Sequence, residues 1–306
     1  MEAEQQPLEL KPAKTFQEQV KILTSRGLFI DSEDSAIQTL SELNYYRLRG
    51  YYIHLQQPGS DQFIRGTSLE QIVALHQFDS RLRGLVLALL LDAEIVFRTR
   101  LAYEMGMAWG PIGYKDESNY AGCNHEQFEK VMGSIEKDIA QSTERFVKTH
   151  QQKYGGQFPI WVVVELMSFG DLSKMYSLLP PQLRKQIAGR YKHLDEMLLK
   201  NWLQAATLAR NTCAHNSRIY GKPFAIPIQI ENDVKMRIQD ILESAYRVYP
   251  NSFFAYILAF RRISRPEAWN CFLEQFKNTT EQFDGIVELS RIGFPRQWKQ
   301  ILLPKK

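Results

Sequence analysis

SLEQIVALHQFDSRLRGLVLALLLDAEIVFRTRLAYEM, residues 68–105, decides the fold. Ile72, Leu75, Leu82, Leu85 and Leu89 recur at helical spacing, so one face of a long helix is apolar. Thr67 and Glu70 have capping-box spacing, and Gly106 offers a stop. Residues 110–124, rich in glycine and polar side chains, read as a loop. A second amphipathic helix then carries Phe128, Val131, Met132, Ile135 and Ile139. Two long antiparallel helices joined by a loop begin a bundle.

Upstream, residues 1–15 are polar and predict a flexible terminus. A helical unit follows, with Asp34 placed to cap a stretch carrying Ile37, Leu40 and Leu43. Tyr45, Tyr46, Tyr51 and Tyr52 are interleaved with Arg47 and Arg49. Such interleaving can stack nucleic-acid bases; a packed turn with snorkelling arginines is the preferred reading. Downstream, Gly155-Gly156 breaks the pattern, and IWVVVELMSFGDLSKMYSLL after Pro159 reads as helix although Val162–Val164 would suit a strand. Pro180-Pro181 punctuates, a helix runs to about Tyr191, and another runs from near Asp195 through Trp202 and Ala209 into Arg210-Asn211. Residues 221–228 form a linker or short extended piece, and three or four more helices follow from about Glu231. The prediction is an all-α protein in four segments: 1–15, an N-terminal helical region at 16–66, a helical bundle at 67–222 and a C-terminal helical region at 223–306.

Of 306 residues, 44% are hydrophobic and 24% charged, enough for a sizeable core and against wholesale disorder. The net charge of +4 leans only slightly towards an anionic partner. Three widely spaced cysteines, Cys123, Cys213 and Cys271, suit a reducing compartment better than a disulfide framework or a zinc site. MEAEQQPLELKPAK lacks the apolar core of a secretion signal. The greasiest run, LVLALLL at 85–91, is too short to span a bilayer. A cytoplasmic protein with no membrane partner is expected. Phosphate-loop, dinucleotide, HExxH and GxSxG patterns are absent, and the six histidines show no metal-ligand spacing; no metal or cofactor is expected. His76 reads as a structural residue on the flank of the long helix.

LARNTCAHNSRIYGK, residues 208–222, is the candidate site. Arginine offers phosphate oxygens a permanent planar donor fork, and histidine can take or give a proton near neutral pH. Asn211 and His215, four apart, share a helix face. Arg210 and His215 lie about 140° apart around the axis, so a local kink or a second copy of the site must bring them together. The alternative is a helix C-terminus whose Arg and His complement the dipole. Arg218 and Lys222 could hold an RNA backbone or simply face solvent.

RNTCAHNSRIYGK looks like the R-N-x-x-x-H signature of the HEPN superfamily. LNYYRLRGYYIHL (43–55), FIRGTSLEQIVALHQFDSRLR (63–83), AEIVFRTRLAYEMG (93–106), PIWVVVELMSFGDLSKMY (159–176), NWLQAATLARNTCAHNSRIY (201–220) and IGFPRQW (292–298) together resemble, in order, the Abi-like proteins of the AbiD/AbiF type. The resemblance implies a HEPN-type helical bundle at 67–222 with N- and C-terminal helical additions. It further implies a metal-independent endoribonuclease acting in phage defence or as a toxin, with Arg210 and His215 as the catalytic pair and Asn211 beside the arginine. Some members pair with a small structured RNA, and HEPN nucleases usually build their site from two copies, so RNA and a homodimeric partner are expected. Glu165 could serve as a second-tier catalytic residue, because some HEPN nucleases use a glutamate before the Arg–His motif; pairing with a core arginine such as Arg98 is the alternative and is slightly preferred. Functionally, the alternative is a catalytically silent module that recognises a structured RNA or senses a phage component.

Overall fold

The computed structural model describes residues 12–303 except 121, 123, 193 and 243–246. The expected flexible terminus therefore lies mostly outside the described residues, as do Cys123 and His193. Among the described residues the secondary structure is helical, with two isolated β-bridges, Phe29↔Ser68 and Gln56↔Phe63, and no strand. The chain is all-α, as expected. It divides into two compact units: one runs up to Asp79 and takes in Phe283–Val287, and the other holds Ser80–Gln282 and the residues from Glu288 onward.

The first unit begins with α1 (Phe16–Ser25), opened by a Thr15/Glu18 capping box, and α2 (Glu33–Glu42), which packs against it. Ser32, not Asp34, caps α2, its hydroxyl accepting from the Ser35 amide. The tyrosine cluster is a helix rather than a turn: α3 (Tyr45–Tyr52), capped by Asn44. Helical spacing turns Leu48, Tyr51 and Tyr52 into the core and leaves Tyr46 exposed. The Tyr51 hydroxyl donates to Asp79 at 2.7 Å, and Arg47 Nε donates to His76 Nε2 at 3.1 Å. His76 thus has the structural role the sequence suggested.

Helix α4 (Leu69–Trp109) passes from the first unit into the second. Its start is held by Ser68, whose hydroxyl accepts from Gln71 N at 3.2 Å, while the Thr67 hydroxyl turns back to Ile64 O. The capping role thus moves one residue on from Thr67. The helix continues through Gly106, and the left-handed residue that ends it is Gly110, at φ +74°.

In the second unit, 3-10 turns at Gly113–Lys115 and Glu117–Asn119 lead to α5 (His125–Gln141) and α6 (Arg145–Lys153). The apolar run after Pro159 is helical but broken into α7 (Ile160–Val163) and α8 (Phe169–Leu178). The break has a local cause: the Ser168 hydroxyl accepts from Asp171 N at 3.2 Å and donates to Asp171 Oδ2 at 2.7 Å, starting a new helix. Helices α9 (Pro181–Gly189) and α10 (Glu196–Ala214) follow, and α10 packs against α8, α9 and a later helix, α12 (Phe253–Ile263). The C-terminal part contains α11 (Asn232–Leu242), α12, α13 (Pro266–Gln282) and α14 (Trp298–Leu302). The non-helical stretch after α10 is fastened to that helix. Trp202 Nε1 donates to Gln229 O at 2.7 Å, and Asn201 bonds both Pro227 O and Gln229 N.

Asp171 ties α5 to α8. Burial alone would raise its carboxyl, but the Ser168 hydroxyl, the Lys174 ammonium and the Ser134 hydroxyl together hold it below its ordinary value of 3.8. A depressed carboxyl contributes stability that is present above 3.8 and lost as the pH falls through its folded value. Asp171→Ala should therefore cost about 1–3 kcal/mol in urea unfolding at neutral pH, and the deficit should shrink in acid below 3.8. An unchanged midpoint at neutral pH would contradict the assignment.

Candidate functional site

Helix α10 is cast to end at the candidate motif. Asp195 caps its start, and Leu199, Trp202, Leu203, Ala206, Ala209 and Cys213 bury its inner face. At the other end His215 is the C-cap, its amide donating to Asn211 O and Cys213 O. Asn216 follows at φ +54°, and Ser217 N reaches back to Thr212 O at 2.8 Å. This is a Schellman closure with asparagine in the left-handed position that glycine usually takes.

The helix is therefore continuous from Arg210 to Ala214, with no kink between arginine and histidine. Arg210 touches Asn211, its Nη1 lying 3.4 Å from Oδ1. No hydrogen bond or ion pair joins Arg210 to His215 among the described residues. Asn211 and His215 are both exposed and share a backbone hydrogen bond at 2.9 Å. Arg218 is half-buried and Lys222 exposed, in the turn beyond the cap. The Tyr220 hydroxyl anchors that turn, donating to Glu288 O and accepting from Glu288 N.

Arg210 reaches towards α4 instead. Its Nε lies 3.9 Å from Glu94 Oε2, while Arg98 Nη2 donates to Glu94 Oε1 at 2.8 Å. Arg98 also donates to Met167 O at 3.1 Å and lies 3.5 Å from Glu165 Oε2. Glu165 is exposed in the turn between α7 and α8, and its pairing with Arg98 is the one the sequence allowed as the alternative to a catalytic role. Glu94 is nearly buried, whereas a third of the Arg210 side chain remains exposed. Glu94 Oε2, Arg98 Nε and Arg210 Nε are buried atoms without hydrogen-bond partners among the described residues. Buried polar atoms are rarely left so, and the two guanidinium Nε–H groups beside the carboxylate keep unused donor capacity. The Arg210 guanidinium, a third exposed beside that acid, can receive a phosphate.

Sequence reading missed Glu94 and saw Arg98 only as a partner for Glu165. The available signal was the Glu-x-x-x-Arg spacing, an i, i+4 ion pair, inside the apolar AEIVFRTR stretch of a long helix. Among the described residues no group of three or more His, Cys, Asp or Glu side chains is arranged to hold a metal ion. No helix there is long and apolar enough to cross a membrane.

Burial raises the Glu94 carboxyl above its ordinary value of 4.5, against the pull of Arg98 and Arg210. A raised carboxyl contributes stability that is fully present below pH 4.5 and is lost as the pH rises through its folded value. Glu94→Gln removes that titration. Its thermal stability should fall less than that of the wild type as the pH climbs from 4.5 towards neutrality. Parallel curves for the two proteins would show that Glu94 titrates as an ordinary carboxylate.

No curated protein and no solved structure matches the chain. The family described as Abi-like protein matches residues 38–221, a span that includes α4, α10, Glu94, Arg98 and the whole candidate motif up to Gly221. That is more than half of the 306 residues, and the chain belongs to the Abi-like protein family, whose membership implies an abortive-infection role.

Proposed function

We propose that this Abi-like protein is a metal-independent endoribonuclease of the HEPN type, acting as an abortive-infection effector or toxin. The observation that carries the reading is the Arg210 side chain, a third exposed, held beside Glu94 and Asn211 with no hydrogen bond from its Nε, five residues from an exposed histidine at the helix end. The RNA 2′-hydroxyl attacks the adjacent phosphorus. The O2′–P bond forms, the P–O5′ bond breaks, and the products are a 2′,3′-cyclic phosphate and a 5′-hydroxyl. His215 takes part in proton transfer, as base to the 2′-hydroxyl or as acid to the leaving 5′-oxygen. Arg210 stabilises charge developing on the phosphoryl oxygens, and Asn211 holds a substrate oxygen or orients the imidazole. Arg218 and Lys222 hold flanking RNA backbone.

The angular separation of Arg210 and His215 on a continuous helix favours a site completed by a second copy, the arginine of one chain facing the histidine of the other. An apolar stripe on α4 offers a surface for that pairing. Leu91, Ile95, Tyr103 and Met107 are exposed along one side of the helix, and Trp161 is exposed beside Gly106. Structured RNA could act both as substrate and as a restraining partner of the same site.

The direct test incubates purified protein with single-stranded RNA and tRNA in excess EDTA, beside His215→Ala and Arg210→Lys. Wild type should cleave and leave 2′,3′-cyclic ends. His215→Ala should be inactive, and Arg210→Lys should be slower by about 10²–10³-fold. Cleavage that needs added metal, or survives His215→Ala, contradicts the proposal. Salt-sensitive RNA binding by wild type and His215→Ala without cleavage by either would favour the silent RNA-binding module instead.

A further inference from the structure

Across α4 from the candidate site lies a cavity of about 580 Å³, lined by the α4 residues Val96 and Arg100, the turn after α9, and α11 to α14. Its volume is in the range of small-molecule sites. Among the described residues that line it, seven are cationic and two acidic. Three of the cations are matched by carboxylates. Arg262 engages Glu231 bidentately at 2.9 and 3.0 Å, Arg190 meets Glu104 at 2.7 Å, and Arg265 pairs with Asp92. Arg100, Lys192, Arg237 and Arg261 have no carboxylate partner among the described residues, and Asp233 is the second acid on the wall.

Three of these four cations are held in place on the wall. Arg237 Nη2 and Arg261 Nη1 both donate to the Ile301 carbonyl oxygen, at 3.3 and 3.4 Å, so the two guanidinium groups converge. Arg100 lies flat over the Tyr191 ring at 4.0 Å. Lys192, at φ +53° in the turn after α9, completes the set of cations on the wall. The Ser264 hydroxyl, also on the wall, is a buried atom without a hydrogen-bond partner among the described residues. Burial, followed by the like charges of Arg237 and Arg262, pushes the Arg261 guanidinium below its ordinary value. Convergent cations of this kind repel one another until an anion joins them.

We propose that this cavity binds a small oligophosphate-bearing ligand, a nucleoside di- or triphosphate being the class that its size and charge fit. Arginine forks and a lysine ammonium are the usual recognition groups for phosphate oxygens. The excess of cations is larger than one phosphate would neutralise, and a single phosphate would leave most of the volume to water. The site is separate from the Arg210 motif, and its existence does not depend on the ribonuclease reading.

Isothermal titration calorimetry on the full chain tests this, with inorganic triphosphate, ATP and a short 5′-hydroxyl single-stranded RNA as probes. Triphosphate and ATP should both bind, and Arg261→Gln and Lys192→Gln should each weaken them by about tenfold or more. Lys192 is exposed, so its variant remains informative if Arg261→Gln fails to fold. Equal affinity for triphosphate and ATP would mean that phosphates alone are read, and tighter ATP binding that the nucleoside fills the rest; both support the proposal. It is overturned if neither probe binds, if both variants bind like wild type, or if RNA alone binds through these residues.

Discussion

The Glu94 carboxylate lies between two guanidinium groups, Arg98 2.8 Å from one oxygen and Arg210 3.9 Å from the other. Glu94 and Arg98 stand one turn apart on α4, and Arg210 stands in the last turns of α10. One carboxylate thus couples two helices that are far apart in sequence and fixes the reach of the arginine. Remove it, and two partly buried cations face each other without a counter-charge, which is costly in a low-dielectric setting. The arrangement is also incomplete. Arg210 approaches the acid without a hydrogen bond, and a third of its side chain stays exposed, where it can meet a phosphate.

Much of the fold was legible because its main determinants are periodic. The stripe through Ile72, Leu75, Leu82 and Leu89 gave the long helix, and the run from near Asp195 through Trp202 and Ala209 gave α10. Errors fell where short-range hydrogen bonding decides between neighbours. Ser32 displaced Asp34 as a cap, Ser68 took the place of Thr67, and the Ser168–Asp171 pair split an apolar run that periodicity would carry through. The aromatic segment at 45–52 misled for a different reason. Its tyrosines suggested a turn, but three of the segment's apolar positions fall on one helical face.

The candidate site was half legible. Arg210, Asn211 and His215 stand in one short stretch, so residue chemistry alone marked them. Glu94 and Arg98 stand more than a hundred residues earlier, and nothing local says that a carboxylate in AEIVFRTR meets that arginine. Only the fold of the second unit, which sets the Arg210 side chain beside Glu94, brings them together. The same helix serves a second environment: Val96 and Arg100, about 200° around the axis from Glu94 and Arg98, line the cationic cavity.

The central claim is that Arg210 and His215 work together on RNA across two copies of the chain, because a continuous helix turns them apart within one. Mixing Arg210→Ala with His215→Ala, after unfolding and refolding them together, tests this most directly. Each variant alone should be inactive on RNA in EDTA. The mixture should regain cleavage with cyclic-phosphate ends, since a mixed dimer carries one site with both groups intact. A mixture as inactive as its parents, beside an active wild type treated the same way, would contradict the account.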